Sequence, residues 1–214
     1  YFVLFDFDSS ASSASSAVQV LAWCIGVHLK QNKVRIIGGA WRSRVITFPD
    51  SADLRPTPDR VRETVFNWLG QDLTGKTCLD LFAGSGAMGF EAASRGAERV
   101  VMVESSPKVF KALQASVQKL EAKNMELVGI DALKFITSDV ALKFGRFDVI
   151  FLDPPYRLGL LPELLSLLTS HLAEGGLVYT ESESPFDPGA GWLAWRSARA
   201  GRVHYQLLKL ETHG

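Results

Sequence analysis

The stretch Cys78-Leu79-Asp80-Leu81-Phe82-Ala83-Gly84-Ser85-Gly86-Ala87-Met88-Gly89 constrains this chain more than any other. An apolar run of strand length enters a turn with glycines at G-x-G-x-x-G spacing. A helical pattern follows over 87–94. Glycines there allow a tight turn and close approach of a ligand to the helix N-terminus. The sequence then keeps alternating. Strands are expected at 77–82, 99–104, 126–130, 147–152 and 176–180, and helices at 87–94, 107–122, 132–143 and 160–172. Such alternation predicts an α/β fold: a Rossmann-like, mostly parallel, doubly wound sheet with helices on both faces. A late strand at 203–210, reached by a strand–turn–strand ending, predicts an antiparallel edge.

The segment before the sheet differs in charge. The whole chain of 214 residues balances 23 Lys and Arg against 23 Asp and Glu. That balance excludes a uniformly basic nucleic-acid coat. Over 33–70, however, seven basic side chains face four acidic ones. Six of the seven are arginine: Arg35, Arg42, Arg44, Arg55, Arg60 and Arg62. Arginine favours bidentate phosphate contacts, although a solvated face with scattered ion pairs would also use it. Residues 35–42 read as strand, Gly38-Gly39 turn and strand, continued by Val45–Phe48. Pro56-Thr57-Pro58 then stops the strand, with Thr57 suited to cap a helix and Pro58 to open it. Val61, Val65, Trp68 and Leu69 recur at helical spacing, so 58–69 is expected to be an amphipathic helix.

Three divisions follow: an unassigned extension at 1–33, disordered or introduced by cloning; a basic hairpin and helix at 34–70; and a catalytic domain at 71–214. The extension has Asp6 and Asp8 before its first basic residue, Lys30, so it lacks the positive start of a secretory signal. No apolar run reaches the roughly 20 residues of a spanning helix. Cys24 and Cys78 have no partner at metal-ligand spacing and read as buried thiols of a reducing, cytoplasmic compartment. No metal is expected, since His28, His171, His204 and His213 also lack such spacing.

Acidic residues mark the strand ends. Glu104 follows Gly84 by 20 residues and ends the second strand, where a carboxylate can accept both ribose hydroxyls of an adenosine. Asp131, with Ala132 beside it, ends the third strand and is placed to meet an adenine amino group. Asp80 decides between cofactors. A dinucleotide would set a pyrophosphate on the glycine turn, and a carboxylate at Asp80 would repel it. S-adenosylmethionine presents an ammonium and a sulfonium, which that carboxylate attracts. Asp80, Phe82, Gly84, Gly86, Glu104, Asp131 and Ala132 are therefore the expected cofactor contacts.

The fourth strand ends in Asp153-Pro154-Pro155-Tyr156. An exocyclic amine on a base is a poor nucleophile, because its lone pair is delocalised into the ring. Asp153 can accept one N–H, the Pro154 carbonyl the other, and the nitrogen then turns its lone pair outward. Pro154 and Pro155 fix that backbone. Tyr156 offers a ring for stacking the base, worth about 1–3 kcal/mol.

Asp-Pro-Pro-Tyr in this slot resembles the exocyclic-amino methyltransferases, and Asp80-x-Phe82-x-Gly84-x-Gly86 resembles motif I of the Rossmann-like methyltransferases. With 35–42 and Leu54-Arg55-Pro56-Thr57-Pro58-Asp59-Arg60-Val61-Arg62-Glu63 added, the chain over about 34–210 resembles the RsmD family. Ser43 departs from it where glycine is usual, and Pro58 where threonine is common. The resemblance implies a methyl transfer from S-adenosylmethionine to the exocyclic N2 of a guanine in 16S rRNA. The substrate would be the small ribosomal subunit or its assembly intermediate, met by a cytoplasmic monomer without membrane contact. The competing readings are a DNA adenine-N6 methyltransferase, a nicotinamide-linked oxidoreductase and a non-catalytic RNA-binding or assembly module.

Overall fold

The unbroken apolar runs of the sequence become the middle of a seven-stranded sheet. The structure is a computed structural model that describes residues 31–50 and 56–211. The expectations for 1–30, including Cys24, and for Arg55 fall outside those residues. The strands are β3 (Thr77–Asp80), β4 (Arg99–Val103), β5 (Met125–Val128), β6 (Phe147–Leu152), β7 (Leu172–Ser182), β8 (Trp192–Ala200) and β9 (Val203–Leu210). Their spatial order is β5-β4-β3-β6-β7-β9-β8. The first five run parallel, and β9 inserts antiparallel between β7 and β8.

Alternate residues of one strand face opposite layers. Val100, Met102, Phe151, Tyr179 and Leu207 join one core, with Val61, Val65 and Phe66. Val101, Val103, Ile150, Leu152, Val178 and Leu208 join the other, with Phe135, Leu164, Leu165 and Leu168. Burial on both faces is why β3, β4 and β6 read as continuous apolar runs. Cys78 is a buried free thiol in β3, and burial pushes its pKa up to about 12. Among the described residues no helix is long and apolar enough to cross a membrane.

The helices are α1 (Asp59–Leu69), α2 (Ala87–Ser94), α3 (Pro107–Leu120), α4 (Ala132–Ile136), α5 (Asp139–Lys143) and α6 (Leu161–Leu168). The single helix expected over 132–143 is broken into α4 and α5. The Thr137 hydroxyl donates to the Leu133 carbonyl at 2.7 Å, and Ser138 Oγ donates to Phe135 at 2.8 Å. Hydroxyls that compete for helix carbonyls end the first helix there. The helix expected over 160–172 also stops early. A 3-10 turn at Thr169–His171 leads into β7, which begins at Leu172.

The N-terminal segment starts with β1 (Gln31–Arg35) and β2 (Val45–Pro49), so 31–33 belong to the fold and not to an extension. Ile36 N donates to the Arg44 carbonyl at 2.9 Å, and Ser43 N donates to Ile36 at 2.8 Å. Residues 40–42 are turn, where a strand was expected. Ser43 has φ +68°, a left-handed conformation that explains why glycine suits this position. Thr57 does not cap α1. Pro58 takes the cap position without a side-chain bond, and Thr57 is buried with its carbonyl turned to Arg62 Nε at 3.2 Å.

One buried carboxylate fastens this segment to the sheet. Glu91 of α2 is fully buried. Its Oε2 accepts from Ile37 N at 2.8 Å and Arg62 Nη1 at 3.2 Å. Its Oε1 accepts from Gly38 N and from Arg95 Nε, both at 2.8 Å. Gly39 closes the contact. It has φ +74°, and a Cβ there would stand 1.8 Å from the Ser94 carbonyl oxygen. Trp41 packs against the same core, with its N–H on Ser94 Oγ at 2.9 Å. The described residues of 34–70 thus pack as a layer on the sheet, within the unit that begins at Asn32.

Removing the Glu91 carboxylate strands two buried guanidinium groups and two backbone N–H groups. Glu91→Ala is expected to cost about 3–5 kcal/mol of folding free energy in urea unfolding. A loss below about 1 kcal/mol would show that this network does not anchor the segment.

Candidate active site

Parallel strands of one direction deliver their carboxyl ends to one edge, and this chain places an acid at every one of them. In spatial order these are Asp131 after β5, Glu104 after β4, Asp80 ending β3, Asp153 after β6 and Glu181 in β7. The strand order reverses between β3 and β6. Open α/β sheets bind ligands in the crevice at such a point. Asp80 pairs in register with Phe151, so Asp153 leaves its strand directly beside it.

The glycine turn is built around two of these acids. Asp80 is buried, and its Oδ2 accepts from Gly89 N at 3.0 Å. A Cβ on Gly89 would lie 2.5 Å from Met102 Sδ and 3.2 Å from Asp80 Oδ2, so a larger residue would have to displace the Met102 side chain. Glu104 Oε2 accepts from Gly84 N at 3.0 Å, and Oε1 accepts from Ser106 N at 2.7 Å. The carboxylate thus ties the turn to the end of β4 while each oxygen keeps a further lone pair. Phe82 is half-buried at the turn, and Gly86 takes φ +76° as the cap of α2. Asp131 is exposed and caps α4 by accepting from Lys134 N at 3.1 Å, with Ala132 buried behind it.

Burial and the acidic row raise proton affinity. Desolvation, opposed by the Gly89 bond and aided by the Glu104 charge, lifts Asp80 to a pKa of about 7. Desolvation lifts Asp153 well above the carboxylate range, with Glu181 and Asp80 adding repulsion. Pro154 is buried and Pro155 exposed. Tyr156 is 36% exposed and follows Asp153 by three residues, with its hydroxyl on Glu181.

Glu181 is the member that sequence reasoning missed. It is buried, accepting from the Tyr179 hydroxyl at 2.6 Å and the Tyr156 hydroxyl at 3.2 Å. Desolvation and the neighbouring acids push both tyrosine pKa values up, which keeps both hydroxyls as donors. The strand-end rule that found the other four acids also reaches Glu181, once β7 extends to Ser182 rather than stopping at 180.

The arginines separate into two kinds. Arg62 is fully buried and makes four bonds: to Glu91, Asp59 Oδ1 (2.6 Å), and the Arg35 (2.8 Å) and Thr57 carbonyls. It cannot reach an RNA phosphate and is corrected to a fastener of α1. Arg35, Arg42, Arg44 and Arg60 are exposed, Arg35 lying 3.5 Å from Asp59. Among the described residues, no group of three or more His, Cys, Asp or Glu could hold a metal ion.

Residues 34–209 match the family described as Conserved hypothetical protein 95, Cons_hypoth95. Over 193 residues the chain is 42% identical to the ribosomal RNA small subunit methyltransferase D of Escherichia coli K12, covering 87% of this chain and 95% of that protein. The chain belongs to the RsmD family. A solved structure named as a methyltransferase from Escherichia coli is 40% identical, with a TM-score of 0.74 over 85% of this chain and 100% of that one. An RNA methyltransferase from Salinibacter ruber, solved with S-adenosyl-L-homocysteine, shares the fold at 21% identity. Its TM-score is 0.57 over 72% of this chain and 92% of that one. The RsmD match spans both the hairpin layer and the sheet, so the two layers belong to one family unit.

The raised Asp80 pKa has a sign that can be checked. Unfolded, this carboxyl ionises near 3.9; folded, near 7. Between those values the folded state holds the extra proton, so stability falls as pH rises from 4 to 7. Asp80→Asn should gain on the wild type by up to about 1.4 kcal/mol per pH unit across that window. A difference in unfolding free energy that stays flat with pH would place the Asp80 pKa in the ordinary carboxylate range.

Proposed function

We propose that this RsmD-family chain transfers a methyl group from S-adenosylmethionine to the exocyclic N2 of a guanine in 16S rRNA. The substrate is the small ribosomal subunit or its assembly intermediate, and the enzyme acts as a cytoplasmic monomer. The observation that carries this reading is the adjacency of two desolvated carboxyls, Asp80 on β3 and Asp153 after β6, with the exposed Tyr156 ring beside them.

The residues present suit that cofactor. A buried carboxyl with a raised pKa is a poor neighbour for a pyrophosphate and a good one for a cation. Asp80 would hold the amino-acid end, the Gly84–Gly86 turn would lie under it, and Glu104 and Asp131 would meet the ribose and the adenine. When bound, S-adenosylmethionine supplies an electrophilic methyl on a sulfonium.

The chain's own residues do the rest. Tyr156 stacks the guanine, its ring held by the Glu181 bond. A base within structured RNA must leave its stack to enter such a pocket. Asp153 accepts one N–H of the amine and the Pro154 carbonyl the other, which aims the nitrogen lone pair. The methylated nitrogen carries an excess proton. A carboxylate made more basic by burial is a fitting acceptor for it. Orientation and fixed dipoles supply most of the rate.

The test uses small subunits from a strain lacking this methylation, methyl-labelled S-adenosylmethionine, and mass spectrometry of the digested RNA. N2-methylguanosine is the expected product. Labelled N6-methyladenine in DNA, or no label anywhere, would overturn the reading. Asp153→Ala should lower kcat by at least about 10²-fold while RNA binding survives. Cofactor affinity should climb as pH rises from 6 to 8, because the ionised Asp80 binds a cation better; a flat profile would remove Asp80 from the cofactor contacts. Arg42→Ala with Arg44→Ala should raise KM for RNA and flatten its salt dependence.

A further inference from the structure

Beyond β7 the sheet ends in β9 and β8, and the turn between them carries charge that the site above leaves unused. Register places this turn at the crevice edge. Ser182, the last residue of β7, pairs with His204, and Ala200 pairs with Val203. Gly201 and Arg202 therefore project past the carboxyl ends of the parallel strands, on the side of Glu181 and Tyr156.

Two guanidinium groups meet at Gly201. Arg199 Nε donates to the Gly201 carbonyl at 2.7 Å. Arg60, in the first turn of α1, brings Nη2 to 3.9 Å from where a Gly201 Cβ would stand. Arg202 follows directly. All three are exposed, and none forms an ion pair among the described residues. Glu183, just past β7, is exposed and likewise makes no ion pair. Two guanidinium groups at one glycine, with Arg202 next in the chain, repel each other, and an anion among them reverses that cost. The planar arginine fork suits the tetrahedral oxygens of a phosphate.

The row of five strand-end acids repels an RNA backbone, so phosphates must be held outside it. The β1–β2 turn with Arg42 and Arg44 stands away from that edge, beside Ser94 at the end of α2 and Lys119 near the end of α3, whose Nζ donates to the Val45 carbonyl at 3.3 Å. The β8–β9 turn instead lies at the crevice edge itself.

We propose that Arg60, Arg199 and Arg202 form a phosphate-binding site that grips the substrate RNA backbone on the β7 side of the crevice. This rests on the reading of the chain as an rRNA methyltransferase. A base drawn into the Asp153–Tyr156 pocket has a phosphate on each flank. The β8–β9 turn takes one of them, while the turn carrying Arg42 packs on Ser94, at the far end of α2 from the glycine turn.

The experiment compares wild type, Arg199→Gln/Arg202→Gln and Arg199→Lys/Arg202→Lys. It measures their affinity for a 16S rRNA transcript across a salt series, with S-adenosylmethionine affinity and thermal unfolding alongside. The glutamine variant should bind RNA about ten-fold more weakly, and its slope of log K against log salt should shrink by about 1.5. The lysine variant should keep most of the slope. Cofactor affinity and unfolding temperature should match wild type in both. An Arg60→Gln variant should lose a further increment of slope. If the glutamine variant keeps the wild-type affinity and slope while Arg42→Ala/Arg44→Ala loses them, this site is refuted and the methyltransferase reading stands. If wild-type protein neither binds nor methylates the RNA, the functional reading itself fails.

Discussion

The Glu91 carboxylate is the point through which the two layers of this protein hold one another. It is sealed from solvent, and four donors meet its two oxygens from three places: the hairpin backbone, α1 through Arg62, and its own helix through Arg95. Charged groups leave water only where geometry replaces what water gave. Here the replacement is complete enough that Arg62 also serves Asp59 and two carbonyls. The helix carrying Glu91 is the one that begins at the glycine turn. Anchoring of the hairpin and shaping of the crevice floor are thus tasks of a single eight-residue helix.

Electrostatics divides the rest of the surface. The crevice collects carboxyls at neighbouring strand ends, and their mutual repulsion together with burial keeps Asp80 and Asp153 inclined to hold protons. That is a site prepared for positive charge and hostile to phosphate. The arginines stand outside it, on the hairpin, on the first turn of α1 and on the β8–β9 turn. A neutral chain can therefore handle a polyanion, because the two signs are kept apart in space and not because one prevails.

Much of this was legible in the residues. The glycine turn, Asp80, Glu104, Asp131 and the Asp153–Tyr156 turn are local patterns, and strand alternation alone orders them along one edge. Burial is not local, and errors gathered there. Arg60 and Arg62 are two residues apart in one helix, yet one is exposed and the other has no exposed surface. A helix turns by about 100° per residue, so that pair was bound to differ, but which one faces inward depends on where Glu91 lies. Glu181 escaped for a simpler reason, the misjudged end of β7. The break between α4 and α5 depended on hydroxyls choosing carbonyls over water, which composition does not reveal.

The insertion of β9 between β7 and β8 bears on how the chain is made. Synthesis proceeds from the N-terminal end, and domains tend to fold as units once enough chain has emerged. Among the described residues, β8 pairs with β9 alone. As β8 leaves the ribosome it therefore has no sheet to join, and β7 keeps an open edge. Glu181 lies on that edge, paired with Tyr205 of β9. The tyrosine clamp at the crevice mouth can settle only after β9 is out. A nascent chain could hold the glycine turn in place and still be unable to grip a base, so the activity would arrive late and all at once.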